Sequence, residues 1–123
     1  MKIYVSHSKN SDFVKELYTP LIEAKLPIEF IFPHEEGSDT YDSKLLFERH
    51  GCDYILAEVS NPATGQGIEL GWADTFKTPI ICFYKSGTKP AGSLKVITDK
   101  IIEYSDSEDL INKLTNELGL TIA

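Results

Sequence analysis

Residues 54–73 read Tyr54-Ile55-Leu56-Ala57-Glu58-Val59-Ser60-Asn61-Pro62-Ala63-Thr64-Gly65-Gln66-Gly67-Ile68-Glu69-Leu70-Gly71-Trp72-Ala73. The apolar run from Tyr54 to Val59 has the pattern of a parallel strand buried on both faces. Pro62, Gly65 and Gly67 read as an open turn, and a helix is expected to begin near Gly67. A strand, a small-residue turn and a helix in that order put Glu69 in the first helical turn, at the carboxyl edge of a sheet. Ligands of open α/β sheets bind outside that edge, so a carboxylate there is a candidate for chemistry. The competing reading is a Glu that complements the helix dipole, and spacing alone favours neither.

Working outward, apolar runs at residues 3–5, 28–32, 54–59, 79–84 and 101–104 alternate with helix-period segments. That alternation predicts five strands in a parallel sheet covered on both faces. A first helix is expected to start at Ser11 or Asp12 as N-cap, with its end limited or kinked by Pro20. A second is expected over about residues 43–50, and a third from Gly67 until Thr78-Pro79 stops it. The last is expected over about residues 107–118, capped by Ser107 and ended by Gly119. Right-handed crossovers then give a flavodoxin-like (Rossmann-like) α/β three-layer sandwich, most economically with strand order 2-1-3-4-5. The loops after the strands gather the polar residues. Ser6, His7 and Ser8 follow the first, His34 the second, Ser60 to Gln66 the third, and residues 85–90 the fourth. The acidic stretch 35–42 reads as a surface loop placed to cover a site.

The chain has 123 residues, with 12 basic against 19 acidic side chains and a net charge of -7. One domain over residues 1–123 is expected, large enough to need neither a disulfide nor a structural metal. The negative balance argues against a nucleic-acid polymer or an anionic membrane as partner, while small anionic ligands remain open. With no signal-like start and no membrane-length apolar run, a cytoplasmic protein is expected. Cys52 and Cys82 lack any metal-ligand or redox spacing and read as buried free thiols. No metal and no cofactor are expected.

A helix-start carboxylate, two histidines and several hydroxyls facing one crevice suit a glycosyl or acyl transfer centre. Cleavage of a glycosidic bond passes through an oxocarbenium-like transition state, which a carboxylate below the anomeric carbon stabilises or traps as an ester. Glu69 fits that role. His7 and His34 are each either contacts to a substrate hydroxyl or phosphate, or loop histidines bonded to backbone. Ser8 is either a phosphate ligand or an ordinary cap. His50 reads as a helix-end residue interacting with the dipole. No Walker loop, complete GxGxxG or GxSxG elbow is present, which disfavours NTP hydrolysis and a serine hydrolase.

The segment Cys52 to Ser60, followed by Pro62, Gly65, Gly67 and Glu69-Leu70-Gly71, resembles the nucleoside 2-deoxyribosyltransferase family, including its branch of 2'-deoxynucleoside 5'-monophosphate N-glycosidases. The resemblance implies that Glu69 is the nucleophile and that Tyr4 and Ser8, in Lys2-Ile3-Tyr4-Val5-Ser6-His7-Ser8, line the nucleotide site. It gives His34 a place after the second strand, and Ser93 a place reaching a 5'-phosphate of the neighbouring subunit in a homodimer. Departures accompany the matches. Leu45 stands where the family has an Asp, leaving Asp42, a turn earlier, or Glu58 as substitute acid; Glu58 otherwise bonds backbone or ribose near the strand end. The N-glycosidase branch has glycine at the place of His7 and arginine at that of Asn10, so phosphate recognition would fall to Ser8, Lys9, Lys85 or Lys89.

The expected site is therefore Glu69 and Asp42 for catalysis, with Tyr4, His7, Ser8, His34, Glu58, Ser60, Gly67 and Ser93 around the substrate. The expected ligand is a deoxynucleoside or deoxynucleotide. Two other readings are a nucleotide-binding or sensing module of the same fold that has lost catalysis, and, more weakly, an interaction domain without a ligand.

Overall fold

The computed structural model describes residues 1–33 and 41–120. His34 and most of the acidic 35–42 stretch lie outside them. Strands β1 (Lys2–His7), β2 (Glu29–Ile31), β3 (Tyr54–Glu58), β4 (Ile80–Lys85) and β5 (Ile101–Tyr104) form one sheet in the order β2-β1-β3-β4-β5. All neighbours are parallel, with Ile3 opposite both Phe30 and Tyr54, and Ile55 opposite Ile80. Helices α1 (Thr19–Glu23), α2 (Ser43–Glu48), α3 (Thr64–Thr75), α4 (Leu94–Ile97) and α5 (Ser107–Leu118) complete the layers. This is the flavodoxin-like arrangement expected from the alternating runs.

The period of two along each strand divides the core. Ile3, Val5, Leu56, Ile81 and Phe83 face one side, where Leu17, Tyr18 and Leu21 join Leu110 and Leu114 of α5. Tyr4, Ile55, Ala57, Ile80 and Cys82 face the other, against Phe47 of α2, Leu70 and Ala73 of α3, and Leu94 of α4.

Several boundaries differ from the sequence expectation. The first helix opens as a π-helical turn over Val14–Tyr18, with no side-chain cap from Ser11 or Asp12, and continues through Pro20 to Glu23. Pro20 sits in the first turn of the α-helical part, where its missing N–H needs no partner, so it does not end the helix. The second helix stops at Glu48, and His50 lies beyond it with φ 52°. Asp106, not Ser107, caps α5, its Oδ1 accepting from the Asp109 N–H at 2.8 Å, and Gly119 ends the helix at φ 68°. A carboxylate accepts the orphan first-turn amide more strongly than a hydroxyl does. The α4 turn has no counterpart among the expected helices, since its four residues are too short to carry a period.

Burial pushes both thiols up, Cys52 to about 11 and Cys82 to about 12, from an ordinary 9.0. Burial first, then the Glu58 carboxylate it donates to, also raises the Tyr104 phenol. Between pH 9 and 11 the unfolded chain releases these protons while the native one keeps them, so native stability falls as pH rises. Urea unfolding is expected to lose at least about 2 kcal/mol between pH 8 and 11. A flat urea midpoint over that range would contradict the burial of these groups.

Candidate active site

The loop from β3 into α3 is shorter than the sequence suggests. The helix starts at Thr64 with Ala63 as an N-cap that makes no side-chain bond. Buried Gln66 reaches back, its Nε2 donating to the Glu58 carbonyl at 2.9 Å, and so ties the helix start to the end of β3. Glu69 accordingly lies in the second turn, and α3 has no acidic residue in its first turn. Its position leaves the dipole-complementing reading without its physical basis, because that effect fades beyond the first turn.

Glu69 is instead held by a tyrosine. The Tyr4 hydroxyl, on β1 and 1% exposed, donates to Glu69 Oε2 at 2.7 Å. Burial, and then the adjacent Glu69 charge, raise the Tyr4 phenol far above its ordinary range, so it remains a protonated donor. Its ring is fixed edge-on by Phe47 at 5.4 Å and flanked by Tyr41 at 5.7 Å. Around this pair lies a cavity of about 550 Å³, large enough for a small organic ligand. Tyr4, His7 and Ser8 come to it from β1 and the loop after it, Asp42 and Ser43 from the start of α2, and Glu69 and Trp72 from one face of α3.

Of the residues singled out in the sequence, Tyr4, His7, Ser8, Asp42 and Glu69 line this cavity together. Asp42 is the N-cap of α2, with Oδ1 accepting from the Leu45 N–H at 3.1 Å. Ser6 and His7 belong to β1 and not to the loop after it. His7 is buried, with Nε2 at 2.6 Å from the Tyr18 hydroxyl and Nδ1 at 2.8 Å from the Ser8 carbonyl.

Glu58 and Ser60 do not line the cavity. Glu58 accepts from the Ser60 amide at 2.6 Å, from the Ser60 hydroxyl at 3.0 Å and from the Tyr104 hydroxyl. Ser60 Oγ in turn accepts from the Lys85 amide at 2.8 Å. This network fastens the ends of β3, β4 and β5. Gly67 and Ser93 line a second, mostly apolar hollow of about 640 Å³ between α3 and α4. Lys85 and Lys89 line neither, whereas Lys9 and Asn10 line the first.

Sequence reasoning did not single out Tyr41, Ser43, Gln66 or Trp72 as cavity residues. Trp72 carried the available signal, since it follows Glu69 by one helical turn and therefore shares its face. Among the described residues, no group of three His, Cys, Asp or Glu side chains is placed to hold a metal ion, and no helix is long and apolar enough to cross a membrane.

No protein-family model and no curated relative match the chain. Solved structures do. A CMP N-glycosidase of Clostridium botulinum, BcmB, superposes with a TM-score of 0.61 at 20% identity, over 93% of this chain and 98% of its own. The fold is shared with an N-glycosidase. A conserved protein from Enterococcus faecalis V583 superposes equally, with a TM-score of 0.61 at 16% identity, over 95% of this chain and 98% of that one.

Proposed function

We propose that the chain, as one 123-residue domain, cleaves or transfers at the N-glycosidic bond of a 2'-deoxynucleoside or its 5'-monophosphate. The observation that carries this reading is the Tyr4-anchored Glu69 carboxylate in a concave space at the carboxyl edge of the sheet. With Oε2 held by Tyr4, Oε1 is the oxygen that attacks the anomeric carbon. The carbon–nitrogen bond breaks, its electron pair leaves with the base, and Asp42 supplies the proton that makes the base a neutral leaving group. Tyr4 lends its hydrogen bond to the ester carbonyl; water or a second base then attacks the anomeric carbon and gives its proton to Asp42, which breaks the ester and returns the carboxylate. Ser8 and His7 form the wall on the β1 side, and the aromatic surfaces of Tyr41 and Trp72 suit a stacked base. The homodimer implied by the resemblance would bury the face around Val96, which is 86% exposed, next to Ser93.

A second reading draws on Leu45, 38% exposed on α2 where the resembled family has its acid. In that reading the cavity binds a nucleotide without cleaving it. Incubation with the four deoxynucleosides, their 5'-monophosphates and CMP, read by chromatography for free base, tests the enzyme. Free base from at least one of them is the expected outcome. A compound that raises Tm yet stays intact throughout would leave only the binding module.

A further inference from the structure

We infer that His7 is a positioning residue whose imidazole, in the Nδ1–H tautomer, ties the Ser8-Lys9-Asn10 wall of the cavity to the π-helical turn through Tyr18. The Ser8 carbonyl 2.8 Å from Nδ1 can only accept, so Nδ1 carries the proton. In the neutral ring Nε2 is then an acceptor, and the Tyr18 hydroxyl at 2.6 Å donates to it. Both ring nitrogens thus have partners within the protein, which separates this role from the direct substrate contact that a histidine beside a cavity suggests.

The surroundings fix the ring in place. Phe13 stacks on it at 4.1 Å and 25°, and Tyr18 meets it nearly edge-on at 5.1 Å. Tyr18 ends the π-helical turn at Val14–Tyr18, whose wider winding changes the register in which the α-helix would otherwise present its side chains. On the other side, the Ser8 carbonyl held by His7 also accepts from Ser11 Oγ at 3.4 Å, while Ser8 Oγ accepts from the Asn10 amide at 3.1 Å. One imidazole thus sets the peptide plane from which the Lys9 and Asn10 cavity wall departs.

Nitrogen-15 NMR of the wild-type protein at about pH 8, above the ordinary imidazole range, reads the tautomer directly. A protonated Nδ1 with an unprotonated Nε2 is expected, and the reverse overturns the inference. Two variants divide the bonds, because an Asn amide reproduces the Nδ1 donor and a Gln amide reproduces the Nε2 acceptor. Hydrogen exchange at the Asn10 amide should stay within about 2-fold of wild type in His7→Asn and rise about 10-fold or more in His7→Gln. The Val59 amide, bonded to the Phe83 carbonyl at 2.8 Å in the sheet, serves as the internal reference. Equal acceleration of Asn10 and Val59, or equal exchange in the two variants, would mean that His7 is a packing residue alone.

These readouts need no substrate and are independent of the proposed activity. The consequence for substrate rests on that activity: His7→Gln should raise KM about 10-fold with kcat within about 2-fold. An unchanged KM in His7→Gln overturns the link to the cavity.

Discussion

Replacing Glu69 by Gln is expected to lower release of free base on the order of 10³-fold or more while Tm stays within about 2 °C of the parent. The amide has almost the shape of the carboxylate, and its carbonyl oxygen still accepts the Tyr4 hydroxyl that Oε2 accepts at 2.7 Å. What it loses is the negative charge and the lone pair able to form an ester with the anomeric carbon. Glu69→Ala differs in kind. It leaves the hydroxyl of a 1%-exposed Tyr4 without its acceptor, which costs about 1–3 kcal/mol when no water replaces it. The Gln variant thus isolates chemistry and the Ala variant adds a structural defect. Thermal shift completes the test, since Glu69→Gln should still be stabilised by an intact substrate. Turnover in Glu69→Gln equal to that of the parent would remove Glu69 from the reaction.

Much of this architecture is written in patterns that span only a few residues. Alternation in Ile3-Tyr4-Val5 and Ile55-Leu56-Ala57 sends neighbours to opposite sides of the sheet, and both helical layers find their apolar partners there. Strand order follows from short right-handed crossovers, which leave few alternatives. The site was legible to the extent that strand ends converge at one edge, which brings Tyr4, Ser8, Asp42 and Glu69 to one cavity. What failed to show was non-local satisfaction of polar groups. Gln66 ties the uncapped helix start to a carbonyl eight residues back, and the apparent turn at Gly65 and Gly67 is helix. Glu58 bonds the Ser60 backbone amide near the strand end, one of the readings its position offered, while the further partners Tyr104 on Glu58 and the Lys85 amide on Ser60 come from strands far along the chain and leave no local signal. A π-helical turn has no sequence period of its own, and Pro20 follows it inside a helix that Pro was expected to limit or kink.

The second large effect concerns stability beneath the site. Phe47→Ala is expected to destabilise the protein by about 3–5 kcal/mol in urea unfolding, the range for emptying a well-packed aromatic position. Phe47 is 0% exposed and stands edge-on to the Tyr4 ring at 5.4 Å, among Ile55, Leu70 and Cys82 in the core between the sheet and α2 and α3. Little around it can collapse far enough to fill the gap, because the strands below are locked by parallel pairing. Phe47→Leu retains most of the volume and should lose less than about 2 kcal/mol. The two variants also probe how the carboxylate is held. Without the Phe47 edge the Tyr4 ring gains room to tilt, and the 2.7 Å bond that orients Glu69 loses its fixed donor. Activity measured well below the Phe47→Ala melting point should therefore fall in kcat more than in KM, because orientation of the attacking oxygen matters most in the transition state. A loss of under about 1 kcal/mol for Phe47→Ala would contradict the packing, and an unchanged kcat would uncouple that packing from the carboxylate.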